Sequence, residues 1–474
     1  MRHSAFVHVR VLVAALALTA AQVGAQPVPR REPIVAITHV SVVDVERGRT
    51  LGAQTVLIRD GRIAEVGRDA AVRVPSAARV IDGSGRWLIP GLWDMHVHTT
   101  GPESERLLPV YLAYGITGSR DMGADLDVLR RERARIRAGG SFGPRVVMAG
   151  PILDGPLGAP MPAAHRRWRI EVTDQESAKR VVDSVARAGA DFIKVHERLA
   201  PDAYYAIAAE AERVGLPFAG HVPTSVGPAD ATAAGQRSME HLVNVPLACT
   251  EAEAESLRAR SALEALLGRC STVDLAPLYR QFATAHVWQT PTLVVQQTIA
   301  LRPSVPAGDP GMRYVPAPVR AMLREVGPFE LPPPPADVSQ RLRALFEKRL
   351  QQVATLHRAG VPLLVGTDAP GVAPGWSVHE ELRLFVRAGL TAADALRAAT
   401  LEPARYLRAA DSLGTIAAGR RADLVLLDAD PLADIRSTTR IRAVIAGGRV
   451  LERATLDALL ADAARRAAGP PGPR

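Results

Sequence analysis

The chain has 474 residues and is 47% hydrophobic, which supplies a large core and suits one big domain with a smaller one. Its formal charge of +9 comes from arginines scattered among acids, as in Arg130-Arg131-Glu132-Arg133, with no basic block interleaved with aromatics. That pattern speaks for a solvated surface and against nucleic-acid binding.

Residues 1–25 read as a cleavable signal peptide. Arg2 and Arg10 precede the apolar run Val11–Ala20, and Val23-Gly24-Ala25 places a small residue before a cut at Gln26. The run is short for a membrane span, and no Cys follows it to carry a lipid. The mature chain is therefore expected to be secreted, most simply periplasmic, with no stable membrane anchor; an uncleaved anchor is the alternative. After export, Cys249 and Cys270 either form one disulfide or stay as two buried thiols.

Residues 26–86 carry small β structure: Val35–Val43, then Gln54–Ile58 turning at Asp60-Gly61-Arg62 into Ile63–Val66. Matching strands lie at Ala422–Asp428 and Ile441–Ile445, the second followed by a turn at Gly447-Gly448-Arg449. The two ends, 26–86 and 408–460, are expected to build one composite β-sandwich. Between them, residues 87–407 alternate apolar strands with amphipathic helices such as Ser177–Ala188 and Pro201–Val214. The strand candidates are Trp87–Met95, Ile116–Asp121, Arg145–Gly150, Asp191–Val195, Pro217–His221, Ser238–Leu242, Val287–Val294 and Pro362–Thr367. Eight β-then-α units predict an α/β fold of the (β/α)8 TIM-barrel kind. An open doubly wound sheet would want a G-x-G-x-x-G turn after a strand, and none is found. Residues 302–336 hold Pro303, Pro306, Pro310, Pro316, Pro318, Pro328 and the run Pro332–Pro335. So long an excursion is expected to cover the barrel mouth as a lid, the alternative being an insertion without function. The tail 461–474 is expected to be disordered.

Polar residues stand where the apolar strands stop. The first strand ends in His96 and His98, which alternate onto one face. The fourth carries Lys194, the fifth ends in His221, the sixth in His241 and the eighth in Asp368. In a barrel these C-terminal ends meet on one rim, and His with carboxylate are ligands suited to zinc. The chain uses only three lysines, Lys179, Lys194 and Lys348, so an amine at a strand end asks for a reason of its own.

The motifs Pro90–His98, Phe192–Val195, Gly220-His221, Glu240-His241, Gly366–Asp368 and Gly414–Leu424 resemble those of the amidohydrolase superfamily, over residues from about 34 to 460. The resemblance is to its prolidase- and dipeptidase-like, imidazolonepropionase-related members. It implies two divalent metal ions, most simply zinc: one on His96, His98 and Asp368, the other on His221 and His241. It further implies that Lys194 is carbamylated by carbon dioxide and shared between them. An ammonium could not ligate a cation, whereas a carbamate offers two anionic oxygens. A single-metal branch lacks this bridge, so Lys194 points to the two-metal branch.

The expected activity is amide hydrolysis of a small-molecule substrate, a dipeptide or N-acyl amino acid, by a metal-bridging hydroxide. Asp368 serves as the general acid and base. A lactonase or phosphotriesterase on the same site, and a mononuclear cyclic-amide hydrolase or deaminase, are the alternatives. Arg120, His165, Arg166 and Arg167, and His379 near the rim, are candidates for substrate contact, the arginines because their fork suits a carboxylate. His196 shares a strand face with Lys194 and is read either as support for the site or as a loop histidine. A homo-oligomer is left open.

Overall fold

The computed structural model describes residues 34–99, 107–157, 168–259, 261–301, 310–317, 319–321 and 334–469. The expected signal peptide, His165, Arg166 and Arg167, and most of the proline-rich insertion lie outside them. Among the described residues nineteen strands run in chain order. The first five are β1 (Val35–Asp44), β2 (Arg49–Arg59), β3 (Arg62–Arg68), β4 (Arg79–Asp82) and β5 (Trp87–Pro90). The central stretch holds β6 (Leu92–Val97), β7 (Ile116–Asp121), β8 (Arg145–Met148), β9 (Ile152–Asp154), β10 (Arg169–Glu171), β11 (Ile193–Val195), β12 (Phe218–Gly220) and β13 (Ser238–Glu240). After the short β14 (Leu247–Ala248) and β15 (Cys270–Ser271) come β16 (Trp288–Thr290), β17 (Leu424–Leu427), β18 (Ile441–Ala446) and β19 (Arg449–Glu452).

Both ends of the chain meet in one sheet, ordered β19-β18-β17-β5-β1-β2-β3 with β4 against β1. Hydrogen bonding thus joins all eight strands into a single sheet, where two facing sheets were expected. Its core gathers Val35, Ile37, Val56, Ile58, Leu88, Leu424, Leu426 and Ile445. The expected strand Trp87–Met95 is two strands. Trp87–Pro90 pairs antiparallel with β17, while Leu92–Val97 pairs parallel with β7. Gly91 makes the crossing: a Cβ there would sit 2.0 Å from Thr117 Oγ1.

The central stretch is α/β, of the TIM-barrel type, with parallel strands β6-β7-β8 in one sheet and β10-β9-β11-β12-β13-β16 in another. The third strand expected at Arg145–Gly150 ends at Met148, and a separate strand beyond it, β9, is the neighbour of β11. Residues 362–369 hydrogen-bond on both sides. Leu364 N donates to Gln289 O (2.9 Å) beside β16, and Asp368 N donates to His96 O (2.7 Å) beside β6. Asp94 on β6 secures this segment by accepting from Thr367 N (3.0 Å) and Thr367 Oγ1 (2.6 Å).

Two expectations are corrected by the backbone. The strand expected at Val287–Val294 ends at Thr290, because Pro291 cannot donate to a ladder and Thr292 turns left-handed (φ 49°). Leu293–Ala300 is helix. The described part of the tail is also helical: Arg453–Ala468 is one helix that buries Leu456, Ala463 and Ala467 at helical spacing, and residues 470–474 lie outside the described residues. Of the insertion, the described part includes Met312–Tyr314, whose Tyr314 is buried against Tyr114. Among the described residues, no helix is long and apolar enough to cross a membrane.

Candidate metal centre

The strand ends bring His96, His98, Lys194, His221, His241 and Asp368 together. The imidazoles form an unbroken row: His98 and His96 have centroids 5.4 Å apart, His96 and His241 4.4 Å, and His241 and His221 4.8 Å. Asp368 Oδ1 lies 3.2 Å from His98 Nε2 and 3.5 Å from His96 Nε2. His241, just after β13, and Asp368, in the segment 362–369, have left-handed backbone (both φ 59°). For non-glycine residues this conformation costs about 1–3 kcal/mol and is kept where it aims a side chain. Gly220, just before His221, is needed for another reason: a Cβ there would lie 2.0 Å from Val195 O.

Each imidazole is fixed through Nδ1. His96 Nδ1 meets Glu240 Oε2 at 2.8 Å, His98 Nδ1 meets Gly123 O at 3.2 Å, and His221 Nδ1 meets Glu197 Oε1 at 2.8 Å. His241 Nδ1 lies 2.6 Å from Thr292 Oγ1, whose own proton goes to Pro291 O at 2.8 Å. A carbonyl, a carboxylate and a hydroxyl already donating elsewhere can only accept. Nδ1 therefore carries the proton in all four rings, which leaves the Nε2 lone pairs of His96, His221 and His241 free, while His98 Nε2 faces the Asp368 carboxylate, which favours the protonated ring. Polar groups held this way are the support that orients metal-ligating histidines.

Two observations test whether a cation fits. His96 Nε2 and Lys194 Nζ are buried with no hydrogen-bond partner among the described residues. Orphaned buried polar atoms are costly unless something else completes them. The nitrogen and carboxylate donors are also the set that divalent transition metals prefer. Ligand atoms of His96, His241 and Asp368 lie within 4.8 Å of one another, so this group could hold an ion; it takes two members from one expected ligand set and one from the other.

The electrostatics agree. Burial holds the His96 and His221 rings well below the usual imidazole range and brings His241 to about 3, so all three are neutral. Burial would raise the Asp368 carboxyl, but His241, His98 and Lys194 outweigh it and hold it at about 2. Burial brings the Lys194 amine down to about 8.

Arg120, expected to meet a substrate carboxylate, is instead fully buried. Its guanidinium donates to Met95 O (2.6 Å), Ser238 Oγ (2.8 Å) and Glu240 (2.9 and 3.0 Å), and lies over the Tyr406 ring. It therefore holds the carboxylate that holds His96. His379 is likewise away from the site: buried in the helix Trp376–Arg387, it is bonded to Thr438 Oγ1 (2.9 Å) and to the backbone carbonyl of Tyr114 (3.0 Å). The sequence reading missed Glu240, Glu197, Thr292 and Asp94. Three of them announce themselves as acids within a few positions of a ligand, in Glu240-His241, Lys194-Val195-His196-Glu197 and Asp94-Met95-His96.

The disulfide Cys249–Cys270 forms, with Cα atoms 5.5 Å apart where β14 lies parallel to β15. It closes a loop that begins a few residues after His241.

Against known proteins, residues 87–451 match the model of the amidohydrolase family. The imidazolonepropionase of Ralstonia nicotianae is 25% identical over 405 residues, 80% of this chain and 87% of that protein. The dihydroorotase of Anaeromyxobacter dehalogenans matches more closely (42%) but only over 71 residues, so the chain spans 16% of its length. Among solved structures, a bottromycin amidohydrolase superposes with a TM-score of 0.71 at 26% identity, covering 92% of this chain and 90% of that one. A prolidase complexed with N-methylphosphonate-L-proline shares the fold with a TM-score of 0.67 at 23% identity, covering 89% of this chain and 100% of that one.

Proposed function

Since the chain belongs to the amidohydrolase family, we propose that it is an exported hydrolase cleaving the amide bond of a dipeptide or N-acyl amino acid with two divalent cations, most simply zinc. In this reading the two parallel sheets and residues 362–369 close into one (β/α)8 ring, whose C-terminal rim is the active site. Lys194 carries the proposal. It is a buried amine with no hydrogen-bond partner among the described residues, lowered to about 8 by burial, beside the neutral rings of His96, His221 and His241. Such an amine is partly neutral under ordinary conditions and can attack carbon dioxide. A C–N bond forms, one proton leaves to solvent, and a carbamate anion replaces a buried cation.

His96, His98 and Asp368 would hold one cation, His221 and His241 the other, with the Lys194 carbamate shared. When bound, the cations supply hydroxide near neutral pH and polarise the scissile carbonyl. The protein's own part is positional and acid–base. Glu240, Gly123, Glu197 and Thr292 keep the four rings in the Nδ1–H form. Asp368, held at about 2, accepts the proton of the attacking water and passes it to the leaving amine nitrogen. Export is supported by the Cys249–Cys270 bond, since disulfides persist in oxidising compartments.

The test is metal content by elemental analysis after expression with zinc and bicarbonate, beside Lys194→Ala, followed by a dipeptide panel. Two cations per chain, falling to one or none in the variant, with amino acid released by the parent, is the expected result. One cation in both proteins would overturn the bridge. It would favour the cyclic-amide reading, to which the match with an imidazolonepropionase along most of the chain lends weight.

A further inference from the structure

Beyond the ligands, the row of imidazoles has a fifth member. His196 stacks on His221 with centroids 4.1 Å apart and planes inclined by 28°. It stands two residues after Lys194, so strand alternation turns both side chains to one side. A guanidinium holds one edge of its ring and a carboxylate lies beside the other. Arg169 Nη2 lies 3.3 Å from His196 Nε2, and Asp154 Oδ2 lies 3.1 Å from His196 Nδ1, off the line of a good hydrogen bond. A guanidinium can only donate, so Nε2 accepts and Nδ1 carries the proton toward the carboxylate. Arg169 Nη1 closes the triangle with a 2.8 Å bond to the same Asp154 Oδ2. Asp154 is itself anchored, since its Oδ1 accepts from Gly155 N (3.0 Å) and Arg198 N (2.9 Å).

His196, Glu197 and His221 place ligand atoms within 4.8 Å of one another, which could suggest a separate cation there. The geometry argues otherwise. The lone pair of His196 Nε2 faces a guanidinium, and His221 Nδ1 is bonded to Glu197. From this arrangement we infer that His196 is a positioning residue: a neutral plate, held by Arg169, which Asp154 in turn holds, that fixes the ring of His221 by stacking and so sets the affinity of the cation His221 holds. Glu197 fixes the in-plane direction of that ring, and His196 fixes its tilt.

This rests on the two-cation reading, so the parent is measured first. Zinc-loaded parent, His196→Ala and His196→Phe are each titrated with a competing chelator, and zinc release is followed together with the urea midpoint of the metal-free protein. The expected result is that His196→Ala gives up one of its two cations roughly 10–100-fold more readily while the other is held as in the parent. His196→Phe, which keeps a flat ring in place, should hold both. Should His196→Ala not fold, Asp154→Asn loosens the same ring without emptying its site and is read in the same way. Parent-like release from His196→Ala would overturn the inference. So would equal weakening in the Ala and Phe variants, or parallel loss of both cations with a fallen urea midpoint. A parent that binds fewer than two cations would refute the binuclear reading itself, and this assignment with it.

Discussion

Glu240→Gln is the perturbation on which the site's construction can be judged. Glu240 is fully buried and is shared by three donors: His96 Nδ1 (2.8 Å), Arg120 Nη2 (2.9 and 3.0 Å) and Ser238 Oγ (2.5 Å). The amide removes the charge and turns one acceptor into a donor. Arg120 is then a buried cation without a counter-charge, and breaking a buried pair from one side costs about 3–5 kcal/mol. The amide nitrogen must also face either Arg120 or the Nδ1–H of His96. In the second case the ring is driven to its other tautomer and loses the Nε2 lone pair. The expected outcome is therefore double: a urea-unfolding stability about 3–5 kcal/mol lower, and cation affinity reduced roughly 10–100-fold. Arg120→Leu with Glu240→Gln removes both charges, so it should recover part of the stability but none of the affinity. An unchanged unfolding midpoint in Glu240→Gln, or a double variant less stable than the single one, would refute the argument that this ion pair supports His96.

Reducing the Cys249–Cys270 disulfide, whose partners are 21 residues apart, should lower stability by about 3 kcal/mol through the freed loop. Paired urea titrations with and without reductant measure this, and coincident curves would refute it. His379→Ala removes two buried hydrogen bonds, to Thr438 Oγ1 and Tyr114 O, and should cost about 1–3 kcal/mol with metal content unchanged. Loss of metal with stability intact would return His379 to the site.

The candidate ligands were legible because a strand end is a local feature. An apolar run that stops at a His, Lys or Asp can be seen in one dimension, and a barrel brings such ends together whatever the loops do. The helices Gln175–Arg187 and Pro201–Arg213 were legible for the same kind of reason, each being an amphipathic run with its own start signal. The break of one apolar run at Gly91 was not. Trp87–Pro90 and Leu92–Val97 are both rich in apolar residues, and only their partners, β17 and β7, assign them to different sheets. The terminal helix Arg453–Ala468 was hidden by the proline- and glycine-rich residues that follow it.

Arg120 shows why the supporting layer is harder to read than the ligands. An arginine at the end of a strand, in a chain rich in exposed arginines, looks available to a substrate carboxylate. The carboxylate it meets is the chain's own Glu240, more than a hundred residues away, and the choice between the two depends on which face of β7 turns inward. The same logic covers Thr292. Its hydroxyl accepts from His241 only because a left-handed turn after Pro291 places it there. A first layer of ligands needs particular elements, whereas a second layer needs only a donor or acceptor at the right distance, which Glu, Thr or a backbone carbonyl can supply equally well. Here all three kinds occur, at Glu240 and Glu197, at Thr292 and at Gly123. Residue type therefore carries little information about that layer, while the shared Nδ1–H state of four histidines, which no single position reveals, carries a great deal.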